Sequence, residues 1–259
     1  MKIYIMTDME GISGICNYEQ TNNENPLYEP ARSLLCADVN AAIDGAFAGG
    51  ATEVLVCDGH SSGFNFLLDQ MDTRAIYERP NGRFDYLPGL DDSFDGVLCV
   101  GYHAKAGTLN GFIDHTQSFE VYHYKLNGKS TGELGQVALW AGSYDVPLLM
   151  VTGDQAACDE AKDFFGDIET VAVKQGIGWS YARCKHPEVA REEIRAAAER
   201  AIKLIPVTKP YKIESPITIR LEYVRSKVAD ATIRPGMKRI DSRTIECVVE
   251  HPRQILTIC

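Results

Sequence analysis

The sequence predicts an α/β fold: a mostly parallel sheet flanked by helices, with a smaller C-terminal mixed α+β subdomain. Three observations predict it. Short apolar runs of strand length alternate with longer segments whose apolar residues recur at helical spacing. The runs at 53–57 and 97–101 are apolar nearly throughout, as strands covered on both faces are. After residue 205 the pattern changes to alternating apolar and polar residues, which suits half-exposed antiparallel strands.

Taken in order, Lys2–Met6 opens the chain as a strand. Over 31–48, Leu35, Val39, Ala42, Ile43, Ala46 and Phe47 recur at helical spacing, and Gly49-Gly50 ends that helix. Strands follow at Glu53–Cys57, Val97–Gly101 and Val121–Leu126, the last closed by a tight turn at Asn127-Gly128. Residues 131–142 read as a helix, Pro147–Thr152 as a strand, 154–165 as a helix and Thr170–Val173 as a short strand. An amphipathic helix covers 187–204 and stops before Pro206. Pro216–Tyr223 and Thr244–Glu250 are the alternating strands of the C-terminal part. This divides the chain into an α/β domain over 1–205 and a small mixed-strand subdomain over 206–259. Segments 16–30 and 61–95 lack periodicity, and loops of that length in a compact domain are often functional.

Composition narrows the function. The chain has 259 residues, 45% hydrophobic and 24% charged, so it can bury a sizeable core without crosslinks. Its 26 basic against 36 acidic residues give a net charge of −10, a field that repels a phosphate backbone and excludes nucleic acid as a partner. No apolar stretch approaches a membrane span, so no membrane partner is expected. The eight cysteines include no CxxC pair, and Cys57 and Cys99 sit within apolar runs, as reduced cysteines do. The opening residues turn acidic at Asp8, too soon for a signal peptide. Both features predict a cytoplasmic location.

Chemistry gathers at strand ends. Ligands of open α/β sheets bind outside the carboxyl ends of the strands. There the sequence places Asp8-Met9-Glu10, Asp58-Gly59-His60 and Tyr102-His103. Residues two apart in an extended segment point the same way, which pairs Asp8 with Glu10 and Asp58 with His60. Carboxylates and imidazoles from neighbouring strands match the oxygen and nitrogen donors that zinc accepts. Each has a plain structural reading beside this one: Asp8 and Glu10 as the start of a turn before Gly11, Asp58-Gly59 as a turn pair, His60 as a surface histidine. The shared position at successive strand ends favours a site. His115, beside Asp114, reads either as an acid or base oriented by a carboxylate or as a solvated loop histidine. Glu133, in Ser130-Thr131-Gly132-Glu133, fits a capping box with Ser130 as N-cap. His123 reads as lining a sheet face, and His186 and His251 precede prolines in loops.

Several blocks together resemble the D-aminopeptidase DppA family, the M55 zinc metallopeptidases. They are Thr7-Asp8-Met9-Glu10-Gly11-Ile12-Ser13-Gly14, Cys57-Asp58-Gly59-His60-Ser61, Gly101-Tyr102-His103-Ala104, Asp114-His115 and Gly132-Glu133-Leu134-Gly135. Val151-Thr152-Gly153-Asp154 and Ala172-Val173-Lys174-Gln175 continue the likeness, which spans about residues 1–180.

The resemblance implies a two-zinc site with Asp8, Glu10, His60, His103 and Glu133 as ligands and Asp8 as the bridge. It places His115 at the family's catalytic histidine and makes Glu133 a ligand rather than a cap. It also implies an aminopeptidase acting on short peptides, D-amino-acid peptides among the candidates, and a homo-oligomer, with a decameric ring as the family's assembly. Within that frame Asp58 is expected behind His60, holding its other ring nitrogen. The competing readings are another metal-dependent amidohydrolase on the same scaffold and a non-catalytic small-peptide-binding protein. A serine often flanks the family's catalytic histidine, whereas Asp114 and Thr116 do so here; Asp114 is expected to act on His115.

Overall fold

A computed structural model describes residues 1–79 and 85–257. The first half supplies β1 (Lys2–Thr7), α1 (Tyr28–Ala48), β2 (Glu53–Asp58), β3 (Ile76–Glu78) and β4 (Gly96–Tyr102). Next come β5 (Val121–Leu126), β6 (Lys129–Ser130), α2 (Glu133–Gly142), β7 (Leu148–Asp154) and α3 (Gln155–Phe165). The chain then runs through β8 (Glu169–Gly178), β9 (Tyr181–Cys184) and α4 (Pro187–Ile202). It closes with β10 (Ile217–Tyr223), α5 (Ser226–Thr232), β11 (Lys238–Arg239) and β12 (Thr244–Val249).

The fold is α/β, with a mostly parallel sheet flanked by helices and a second, antiparallel sheet. Seven strands form the first sheet in the order β3-β2-β1-β4-β7-β8-β9, parallel except for the β8–β9 hairpin. Five form the second, in the order β11-β12-β10-β5-β6. The strand predicted at Val121–Leu126 therefore belongs to the second sheet, antiparallel to β10. The predicted strand at Thr170–Val173 runs on to Gly178, and the helix predicted from 31 starts at Tyr28. Part of the unpatterned stretch 61–95 (residues 80–84) lies outside the described residues, as does Cys259.

Alternation along the strands divides the core in two. Ile3 and Ile5 of β1, Val54 and Val56 of β2, and Leu98 and Val100 of β4 face α1 and α4. Tyr4 and Met6, Leu55 and Cys57, and Val97 and Cys99 face α2 and the second sheet. Each fully buried aliphatic side chain on these faces contributes about 1.5–3 kcal/mol. With both faces of the first sheet covered, the carboxyl edge of its strands remains for a site. Among the described residues the seven cysteines form no disulfide. Among the described residues no helix is long and apolar enough to cross a membrane.

Candidate metal centre

The chain leaves β1 towards β2 on one side and later returns to β4 on the other, so β1 stands at the point where strand order reverses. Asp8 directly follows β1, His60 lies two residues past β2, and His103 directly follows β4. Strand pairing thus sets three donors side by side. Glu10 joins them through a tight loop over 8–15. Gly11 donates its amide to Gly101 O at 2.7 Å, an approach so close that a Cβ on Gly11 would stand 2.1 Å from Tyr102 O. Gly101 itself has φ +81°, and a Cβ there would meet Asp8 O at 2.3 Å. The fourth element is α2, whose first residue is Glu133.

These side chains meet. His60 Nδ1 lies 3.0 Å from Asp8 Oδ1 and 3.3 Å from Glu10 Oε2. His103 Nε2 lies 3.3 Å from Asp8 Oδ2 and 3.6 Å from Glu133 Oε1. The donor atoms of Asp8, Glu10 and His103 fall within 4.8 Å of one another, and so do those of His103, His115 and Glu133. Two three-donor clusters therefore share His103.

The second nitrogen of each imidazole explains what the cluster is built to hold. His60 Nε2 is 3.0 Å from Thr21 O, His103 Nδ1 is 2.9 Å from Ala104 O, and His115 Nδ1 is 2.9 Å from Ile113 O. A carbonyl only accepts, so each of those nitrogens carries the hydrogen and donates it. For neutral rings that leaves His60 Nδ1, His103 Nε2 and His115 Nε2 as lone pairs aimed at carboxylates. Such an arrangement repels unless a cation lies between. Glu10 Oε2 and His103 Nε2 are moreover buried without any hydrogen-bond partner among the described residues. Orphaned polar atoms at the centre of an oxygen and nitrogen donor set fit a bound metal ion.

Protons answer the same demand. Burial depresses the imidazoles of His60 and His103, but the surrounding carboxylates outweigh it and hold both well above the usual histidine range. For His60 the charge of Glu10 leads, and for His103 the nearness of Asp8. Burial pushes Asp8 up, yet His103 and His60 together hold it well below the usual carboxylate range. Where no metal ion is bound, protons on the imidazoles would supply the positive charge that the carboxylates demand.

Asp8, Glu10, His60, His103, Glu133 and His115 come together as the sequence places them. Three other expectations are corrected. Asp58 does not hold His60: its carboxylate accepts Asn65 N and Nδ2, each at 2.6 Å, and Asn65 Nδ2 also reaches His60 O at 2.8 Å. Asp114 does not orient His115, because it binds Gly107 N at 2.6 Å and Thr108 N at 3.2 Å. Ser130 is no N-cap; it lies in β6, and α2 begins after Gly132 without a side-chain cap. Sequence reasoning missed Gln117, whose amide donates to Glu133 Oε1 at 2.7 Å, and Thr21, whose carbonyl holds His60. Both act through the backbone, which no residue type announces. Lys174, buried on β8, is pulled down to about 8 by burial and donates to two carbonyls of the 8–15 loop.

The donors open into a cavity of about 520 Å³. Its far wall is Tyr18, Asn22 and Asn23 from the loop before α1, with Phe119 beside His115. The rings of His115 and Phe119 are 4.6 Å apart, and His115 stacks on His103 at 4.0 Å.

Comparison with known proteins agrees with this geometry. The family model Peptidase_M55, described as D-aminopeptidase, matches residues 1–259. A D-aminopeptidase of Bacillus subtilis (strain 168) is 37% identical over 242 residues, covering 91% of this chain and 86% of that one. A solved structure described as the Zn-dependent D-aminopeptidase DppA from Bacillus subtilis, a self-compartmentalizing protease, superposes with a TM-score of 0.96. It is 32% identical and covers 100% of this chain and 95% of its own. This chain belongs to the M55 D-aminopeptidase family and is a metallo-aminopeptidase, a hydrolase of peptide bonds.

Proposed function

We propose that this enzyme is a zinc aminopeptidase that removes the N-terminal residue of short peptides, D-amino-acid peptides among them, and binds two zinc ions per chain. Asp8, Glu10, His60, His103 and Glu133 would hold the ions, with Asp8 between them. One observation carries the reading: imidazoles whose N–H groups are committed to carbonyls turn their lone pairs into a cluster of three carboxylates. Bound zinc ions supply an activated water and polarise a carbonyl. The chain's own residues do the rest. A free amino group at the end of a peptide would add a nitrogen donor of the kind zinc accepts, which an internal segment lacks, and this suits an exopeptidase. The cavity volume suits a short peptide. His115, fixed by its Nδ1–H bond to Ile113 O, offers Nε2 to the cavity, where it takes up or returns a proton.

The relative described as self-compartmentalizing supports a homo-oligomer for this chain too, and the decameric ring implied by the family resemblance is the form we propose. Cysteines that form no disulfide among the described residues suit the reducing cytoplasm.

Metal content by mass spectrometry, on protein purified without chelator, tests the reading. Two zinc ions per chain, lost in Asp8→Ala, are expected, together with release of the N-terminal residue from a panel of D- and L-dipeptides. Protein that neither carries zinc nor takes it up on incubation would overturn it.

A further inference from the structure

β8 carries a lysine inside the covered part of the sheet. Lys174 is 3% exposed, and its side chain does not line the active-site cavity. Its Nζ donates to Glu10 O at 2.5 Å and to Ile15 O at 2.6 Å, and stands 4.6 Å from the centre of the Phe112 ring. A buried ammonium is costly unless its hydrogens are taken, and here two are taken by main-chain carbonyls of the one loop that bears two metal-ligand candidates. The same loop is gripped from the other side. Asp38 of α1 accepts Ser13 N at 2.8 Å and Ser13 Oγ at 2.7 Å, and is itself held by Arg191 Nε at 3.1 Å.

Position follows from this grip. Glu10 has its carbonyl fixed by Lys174, and the next amide, Gly11 N, is fixed by Gly101 O. Glu10 Cα cannot shift without breaking one of these bonds, so the place of its carboxylate is set from behind. That carboxylate holds the buried, unpartnered Oε2 of the cluster. The carbonyl of Ile15 marks the far end of the loop, so one ammonium closes the 10–15 turn like a clasp.

We propose that Lys174 is a positioning residue of the metal centre, its ammonium fixing the 8–15 loop so that the Glu10 carboxylate meets the metal. The inference rests on the metal reading given above. It assigns Lys174 no contact with substrate and no proton to transfer.

The test compares wild type, Lys174→Met and Lys174→Arg after chelation. Each is titrated with zinc against a chromophoric chelator, then with cobalt while the visible spectrum is recorded. Loss of a group that orients a metal ligand costs roughly 10- to 100-fold in metal affinity. Lys174→Met is expected to show that loss and an altered cobalt band, while the metal-free protein keeps its thermal midpoint to within about 4 °C. Lys174→Arg, which keeps the charge and the donors, is expected to recover part of the affinity. Should Lys174→Met not fold, Lys174→Gln retains two N–H donors and is expected to fall between Met and wild type. Wild-type affinity and an unchanged cobalt band in Lys174→Met would overturn the proposal, as would a fall in stability with no change in affinity. Failure of wild type itself to take up zinc would instead overturn the metal reading on which it rests.

Discussion

Ile113 is a β-branched residue held at φ +51°, and Gln117 follows at φ +63°. Such conformations cost about 1–3 kcal/mol each and persist only where their surroundings enforce them. Both residues aim a backbone group at the centre: Ile113 O at His115 Nδ1, and Gln117 N at Glu133 Oε1. The backbone thus fixes the tautomer and tilt of His115, work that one of the two sequence readings gave to Asp114. His115→Ala is expected to lower kcat on dipeptides about 10²- to 10⁴-fold with zinc content unchanged, checked by peptide hydrolysis and metal analysis on one preparation. Zinc lost in that variant would instead make His115 a ligand, since its Nε2 is 3.8 Å from Glu133. Asp8, Glu10, His60 and His103 were legible because strand ends and two-residue spacing point to one edge. Glu133 was legible only by family likeness, since serine three residues before a glutamate also reads as a cap. Thr21 and Gln117 were not legible at all, because any residue supplies a carbonyl or an amide.

At the scale of elements, the long strands of the first sheet were read from their apolar runs, and α4 from its amphipathic spacing. The strands missed were β3, β6, β9 and β11, of two to four residues each, too short to show a period. The partner of β5 was hidden for a different reason. Its alternation gives a strand with one covered face, while the choice between sheets depends on β10, some ninety residues further on. A tight joint between elements lies where the β1 exit passes the end of β4. Gly101→Ala would force a Cβ into Asp8 O from a backbone at φ +81°. Urea unfolding is expected to show a loss of roughly 1–3 kcal/mol, with lower zinc content, because Asp8 must yield. An alanine variant of wild-type stability and metal content would show that the joint has slack.

On the scale of the whole molecule, the first sheet braces the centre and the second sheet backs it, but the cavity wall is made of loops and of side chains beside the β8–β9 hairpin. Trp179 and Tyr181 on that hairpin are 46% and 66% exposed, and Leu109 is 86% exposed, more apolar surface than one protomer needs to show. Sedimentation equilibrium is expected to give a mass several times the 28.6 kDa of the chain, and a lone 28.6 kDa species would remove the homo-oligomer from the proposal. The hairpin has another consequence. The chain holds two tryptophans, one of them Trp140 at 6% exposure and the other Trp179. Trp179 packs 5.4 Å from Tyr18 and 5.5 Å from Phe119, and its carbonyl takes the amide of Ile113 at 2.7 Å. Its indole therefore sits behind Tyr18 and Phe119, two rings of the cavity lining, while its main chain bonds the backbone that aims His115. Emission from that ring is expected to change in colour and intensity when a peptide shifts Tyr18 or Phe119, over a steady blue-shifted background from Trp140, so the enzyme carries its own fluorophore one layer behind the cavity wall.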